Sequence, residues 1–385
     1  MENRVLEKRL VLMFCMMLII LQISFLRVDA QFQSGFEIVE KENAIEVAYL
    51  EVGIEKFRIV INKNGGISQV LISQIPYTSV AGCYVWNSWE QTWFSNSLAS
   101  PIVENRGDYV EARFYGKYAN AEVYTETNYT ISKTGLILIS NVIEAKADLL
   151  DLRNTLWMIY FPTDVFQGEK AHVKLEREIR EITLPGDVTS GDFVATDEIF
   201  YWADFSRGAE GLTFINMAPG SEIWYSAGVR DERQWGYHNV YGVRITHKPD
   251  GEGGMSSGEK RFSKVALYVH GPGGYQASEE MLNLVSGLAS AQVECEKALK
   301  KYGRETEAWT LASQAMTIVR SGLNKLISGD ENGAKTDLEN ANSLIQKARE
   351  AGGEAMPDLL LIIALVIIVV VVIGLIILRK RGRKK

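Results

Sequence analysis

Twenty consecutive apolar residues, Leu359 to Leu378, restrict what this chain can fold into more than any other stretch. They carry no charge and no polar side chain, and they include one Gly. At about 1.5 Å per residue such a helix is about 30 Å long, the thickness of a bilayer hydrocarbon core. A buried helix of a soluble domain is the alternative, and it rarely runs apolar on every side for this length. Residues 379–385 follow with six basic side chains in seven. That bias stays on the cytoplasmic side of a membrane. The expectation is one spanning helix (359–378), a cytoplasmic tail (379–385) and nearly everything else outside the cell.

The other end of the chain agrees. Arg4, Lys8 and Arg9 precede a nearly continuous apolar run from Leu10 to Leu26, and the small Ala30 comes before Gln31. This charged, apolar, small-residue order is that of a secretory signal, expected over 1–30. An uncleaved anchor is the alternative and leaves the ectodomain on the same side.

Charge must therefore be counted by compartment. Removing the four basic and three acidic groups of residues 1–30 and the six basic groups of 379–385 leaves 31 basic and 45 acidic groups, a net of −14. An exterior this acidic argues against nucleic acid as a partner. Of three Cys, Cys15 lies in the signal, while Cys83 and Cys295 remain in different domains. Two Cys make no disulfide framework, and no Cys/His spacing suggests zinc. The four His show no HExxH or HxH spacing, and no GxSxG is present. No metal and no cofactor is expected.

From Gln31 to about Tyr275 the chain reads as β. Residues 57–61 and 67–72 flank Asn62-Lys63-Asn64-Gly65-Gly66, the signature of a hairpin. Strand-like runs follow at 109–115, 121–132, 136–143, 152–161, 193–205, 211–217, 222–229, 237–246 and 262–270. An antiparallel β-sandwich over 31–275 is the economical reading. The Gly/Ser-rich stretch 247–261 lacks the ending of a phosphate loop and reads as a hairpin loop. Asn128-Tyr129-Thr130 is the one glycosylation sequon, and Asn128 must face solvent to be used.

The long hairpin Tyr124 to Ser140, followed by residues 149–156 and the apolar strand ending at Phe161-Pro162, resembles the central hairpins of the galactose-mutarotase-like supersandwich. That fold is shared by sugar epimerases and by accessory domains of glycoside hydrolases and polysaccharide lyases. The resemblance covers residues 36–275 as a strand pattern and implies a carbohydrate-related role. Tyr237-His238-Asn239-Val240-Tyr241-Gly242 is similar to the His- and Asn-containing strand of mutarotases. It falls later in the chain and in a different order, so no catalytic role is carried onto it.

After Gly271-Pro272-Gly273-Gly274 the apolar spacing changes to 3.5 residues. Met281, Val285, Leu288, Cys295 and Leu299 mark one helix. Trp309, Ala312, Met316, Val319, Leu323 and Leu326 mark a second, and Ala334, Leu338, Ala341, Ile345 and Ala348 a third. Breaks at Gly303 and Ser328-Gly329-Asp330 make short loops, so 276–353 is expected to be an antiparallel three-helix bundle. It resembles the helical stalks beside the membrane anchors of archaeal surface proteins. A spacer is one reading, a helical partner-binding surface the other; the protein partner is unassigned.

Two clusters carry candidate chemistry. Trp86, Trp89 and Trp93 at spacings of 3 and 4, with Glu90, Asn87 and Gln91, would share a face if helical. Indoles stack on sugar rings, and carboxylates and amides hydrogen-bond hydroxyls. The alternative is that these Trp fill the seam between sheets. Arg230 to Asn239 supplies Arg233, Trp235 and His238 with two carboxylates. Paired carboxylates perform acid/base work on sugars, and a loop of internal ion pairs is the alternative. Both clusters are expected across one cleft. Three functions follow: a stalked cell-surface module that binds a cell-envelope glycan, an anchored carbohydrate-active enzyme (epimerase, lyase or hydrolase), and a non-catalytic envelope structural or assembly protein.

Overall fold

The computed structural model describes residues 34–353 except 88–89, 93–94, 119–121, 150–151, 197, 222–223, 237 and 248–253. The expected signal (1–30), membrane helix (359–378) and basic tail (379–385) lie outside the described residues. Among the described helices none is long and apolar enough to cross a membrane. The chain forms two compact units. One runs to Ser286 and takes in Leu326–Gly329; the other holds Gly287–Lys325 and the chain from Asp330.

The first unit is built on two antiparallel sheets. The larger runs β1 (Gly35–Glu40), β2 (Ala44–Glu51), β3 (Ile54–Asn62), β4 (Ile67–Ile72), β6 (Val80–Asn87), β13 (Leu152–Pro162), β20 (Val240–His247), β19 (Trp224–Asp231), β16 (Asp192–Thr196). Beside this path β5 (Ile75–Thr78) pairs with β4 and β7 (Glu90–Thr92) with β6. The smaller runs β15 (Ile179–Thr183), β14 (Lys170–Leu175), β17 (Phe200–Arg207), β18 (Glu210–Asn216), β21 (Lys260–His270), β12 (Leu136–Ala145), β11 (Val123–Ser132), β10 (Tyr109–Tyr118), β8 (Ser95–Ser97), with β9 (Ile102–Asn105) on β10.

Alternation decides which side chains enter the core. In β3, Phe57, Ile59 and Ile61 are buried while Arg58 and Val60 are partly exposed. The anticipated hairpin closes on β4 with Ile59 opposite Val70. Gly65 in its turn has φ +88°, and a Cβ there would sit 3.1 Å from Phe114 and Thr127 of the other sheet, so only glycine fits. Two tyrosines tie the sheets together. Tyr129 Oη donates to Gly65 O (2.5 Å) and Tyr118 Oη to Cys83 O (2.9 Å). Phe161 of β13 stacks on Phe205 of β17 with centroids 3.7 Å apart, and Phe166 meets both edge-on. Asn141, the polar intruder in β12, donates to Thr125 and Thr127 (2.7 Å each) and is thereby satisfied.

Two expectations change. The run 193–205 is not one strand. It splits into β16 and β17, which belong to opposite sheets, and the polar Thr196-Asp197-Glu198 marks the boundary between them in the sequence. The Trp-rich stretch is not helical either. β6 and β7 make a hairpin with Trp86 opposite Gln91 and Asn87 opposite Glu90.

Three helices follow: α1 (Gly274–Lys301), α2 (Glu307–Ser328) and α3 (Glu331–Ala351). Asp330 caps α3, accepting from Gly333 N at 2.9 Å. In the second unit Leu288, Cys295, Ala312, Val319, Ala341 and Ala348 are buried. Close approach is built in: a Cβ on Gly287 would meet Leu338 Cδ2 at 2.7 Å, and one on Gly322 would meet Leu288 Cδ2 at 2.8 Å. Cys83 and Cys295 are both buried and free. Burial, then the neighbouring Glu294 and Glu296, push the Cys295 thiol up to about 12. A thiol so protonated is a packing group rather than a nucleophile.

Candidate functional site

The acidic-basic cluster at 230–239 begins where β19 ends and a 3₁₀ turn, Glu232–Trp235, takes over. Val229 and Asp231 point inward and are buried, so Arg230 and Glu232 are sent to the outer face of the larger sheet. The cluster thus divides into an inner latch and an outer row.

The latch is Asp231 with Arg233. Asp231 caps the turn by accepting from Arg233 N (3.0 Å), and it takes Nε and Nη2 of Arg233 (2.8 Å each). Thr189 N donates to it as well (3.0 Å). Burial pushes the Asp231 carboxyl up, but the Arg233 guanidinium and the two backbone N–H groups outweigh it, and the carboxyl is held below the usual carboxylate range. Arg233 also donates to the carbonyls of Gly186 (2.6 Å), Pro185 (2.8 Å) and Asp187 (3.1 Å). Tyr241 Oη shares Pro185 O (2.6 Å), and the guanidinium lies over the Tyr241 ring. The donors of Arg233 therefore serve the loop at 185–189, and Arg233 positions the turn.

The outer row runs across neighbouring strands. Register places Val80, Tyr160, Gly242, Arg230 and Asp192 in line, with Met158, Arg244 and Gly228 in the next line. Arg230 pairs with Glu232, both side chains nearly buried. Glu232 lies over Gly242, where an added Cβ would come within 2.9 Å of its Cγ. Arg244 Nη2 reaches Asp192 Oδ2 at 3.2 Å beside Gly228. Two glycines thus make room for two ion pairs lying flat on the sheet. Arg244 Nε is buried without a hydrogen-bond acceptor. On one side the row passes into an apolar patch of Met158, Tyr160, Val240 and Val80. His238 is exposed with its ring 5.6 Å from Tyr160, and Trp235 leaves 56 % of its surface to solvent.

The described backbone of the first cluster lies away from the second. Trp86 stands opposite Arg153 on β13, while His238 lies against Tyr160, seven residues further along the same strand. At about 3.3 Å per residue that is about 23 Å. At Trp86 the two clusters do not share a cleft, because β6 runs antiparallel to β13 and carries that end away from the 3₁₀ turn. Of the first cluster only the backbone is described at Trp86 and Glu90, and the positions of Trp89 and Trp93 lie outside the described residues. Asn128 is on the outward face of β11, where Oδ1 accepts from Arg113 Nε (2.9 Å) and Nδ2 donates to Glu126 Oε1 (3.1 Å).

Sequence reasoning did not find Asp192 and Arg244, which lie on strands far apart in the chain. Period-2 alternation against Val229 and Val243 was the available signal. It also missed Asp204, which accepts from Ser206 Oγ and Thr213 Oγ1 and meets His270 Nε2, each at 2.6 Å. Both Asp204 and His270 are inaccessible to solvent, so this network braces the smaller sheet. Among the described residues no group of His, Cys, Asp or Glu is arranged to hold a metal.

No known protein family and no curated protein matches the chain. Solved structures similar to it include a putative aldose 1-epimerase from Escherichia coli K12 (TM-score 0.35, 10 % identity, 56 % of this chain and 96 % of that one). Galactose 1-epimerase from Lactobacillus acidophilus NCFM is another (0.38, 8 %, 63 % and 99 %), as is an alpha-mannosidase from Enterococcus faecalis V583 (0.38, 9 %, 65 % and 37 %). The epimerases are β-sandwiches of the galactose-mutarotase kind, the resemblance expected from the hairpin pattern. With TM-scores this low, no residue role and no activity passes from them to this chain.

Proposed function

We propose that the β-sandwich binds carbohydrate on the outer face of its larger sheet, at the cell exterior, and is carried there on the helical unit by a membrane helix at 359–378. The observation that supports the binding site is the exposed Trp235 indole at the end of the 3₁₀ turn whose Glu232 pairs with Arg230 on this face, with the exposed His238 three residues later in the chain. An indole offers an apolar plane to a sugar ring, and flat guanidinium–carboxylate pairs offer donors and acceptors to its hydroxyls. Arg233 contributes by holding the turn that carries Trp235. The anchoring rests on the apolar run and the basic tail alone.

Titration of the full-length chain in detergent with cell-envelope oligosaccharides tests the site. Trp235→Ala is expected to weaken binding about tenfold, since an aromatic contact is worth about 1–1.5 kcal/mol. Its melting temperature should not move, because the indole is exposed. Oligosaccharide binding that is indifferent to Trp235→Ala would remove the site from this face.

A second reading, an anchored carbohydrate-active enzyme, is favoured by one feature: Glu232 is a nearly buried carboxylate on the same face as Asp192. It requires turnover of a bound oligosaccharide that Glu232→Gln abolishes while binding persists.

A further inference from the structure

The first unit holds a cavity of about 410 Å³ away from the outer face. It opens where the β2–β3 and β17–β18 hairpins and the end of β21 come together, and its lining includes Tyr49, Phe57, Lys56, Arg207 and Glu210. This volume falls within the range of about 300–1,000 Å³ typical of small-ligand sites, at the end suited to one ring.

Two features define what would fit. The lining includes the half-buried Tyr49 ring, backed by the core residue Phe57 with ring centroids 6.1 Å apart and planes tilted by 32°. The wall is charged, and its charges are nearly all engaged. Lys56 pairs with Glu51 (2.8 Å), Lys133 with Asp108 (2.6 Å), and Glu210 accepts from Ser73 Oγ (2.6 Å). Arg207 stands opposite Glu210 across the hairpin, yet that carboxylate is turned to Ser73. Among the described residues Arg207 has no carboxylate partner, although acidic groups outnumber basic ones in this chain by 48 to 41. A guanidinium left open on a concave wall is a two-pronged donor for a carboxylate.

We propose that this cavity binds a small monocarboxylate carried on a six-membered ring, with the carboxylate on Arg207 and the ring against Tyr49. Lys56 and Lys133, each paired with a carboxylate, complete the rim. The proposal is independent of the outer-face reading, which uses other strands and other residues.

Isothermal titration of the full-length chain with D-glucuronate, benzoate and uncharged D-glucose tests it. At least one of the two carboxylates should bind, and D-glucose at least tenfold more weakly. Arg207→Gln should weaken carboxylate binding tenfold or more with no shift in melting temperature, because the side chain is exposed and, among the described residues, pairs with no carboxylate. Ala209→Trp, which fills the mouth from an exposed hairpin position, should block binding to a similar degree. Trp235→Ala should leave carboxylate binding unchanged, which separates this site from the outer face. Absence of carboxylate binding at millimolar concentration would overturn the proposal. So would binding insensitive to both cavity variants, or binding lost with Trp235→Ala instead.

Discussion

Asp231 is wholly buried and accepts four hydrogen bonds, three of them from one arginine residue. Removing its charge leaves Arg233 facing an amide and three carbonyls in a dry site. Asp231→Asn should therefore destabilise the first unit by about 3–5 kcal/mol, read as a fall in denaturation midpoint. The pH dependence has a definite sign. The folded carboxyl lies below its unfolded value of about 3.9, so its contribution is complete above about pH 4. It is lost as pH falls through the lowered folded value. Melting temperatures taken from pH 7 down to pH 2 should fall less steeply for Asp231→Asn than for the parent, and parallel curves would contradict the latch. At this scale the sequence was misleading for a simple reason. Asp231 and Glu232 are neighbours in the chain but lie on opposite faces of a strand end, so a run that reads as one charged cluster performs two separate tasks.

Elements were more legible than sites. The Asn/Gly turn before Ile67 and the alternation in residues 123–145 identified their hairpins, because burial on one face leaves a period of two in the sequence. In residues 193–205 the break was legible only as the short polar Thr196-Asp197-Glu198, and β17 beyond it has no period of two to mark it as a separate strand, as the continuous burial of Trp202 to Phe205 shows. Around Trp86 the helical spacing had no local feature to oppose it, and there β6 and β7 pair as strands. The helical repeats were the clearest of all. Val319, placed inward from its spacing, has no exposed surface. Val319→Asp should destabilise the second unit by about 3 kcal/mol or more, since it buries a carboxylate without a partner. Loss of helical circular dichroism at a lower temperature would show this, and an unchanged helical transition would contradict it.

At the scale of the whole molecule, the chain joins a β-sandwich with ion pairs on one face to a helical unit, followed by the apolar run 359–378 that we propose spans a membrane. Membranes carrying the full chain should retain it through alkaline carbonate washing, whereas a chain ending at Gly353 should be released to the supernatant. Retention of the shorter chain would place the membrane contact elsewhere. The outer face could not be read from the sequence because its charged residues come from β16, β19, β20 and the 3₁₀ turn, which only the sheet order brings side by side. That face is the centre of the account, and hydrogen–deuterium exchange tests it most directly. The full-length chain is compared with and without a cell-envelope oligosaccharide that it retains. Slowed exchange at residues 228–244, with residues 86–92 unchanged, is the predicted result. Slowed exchange confined to 86–92, about 23 Å away along β13, would contradict it.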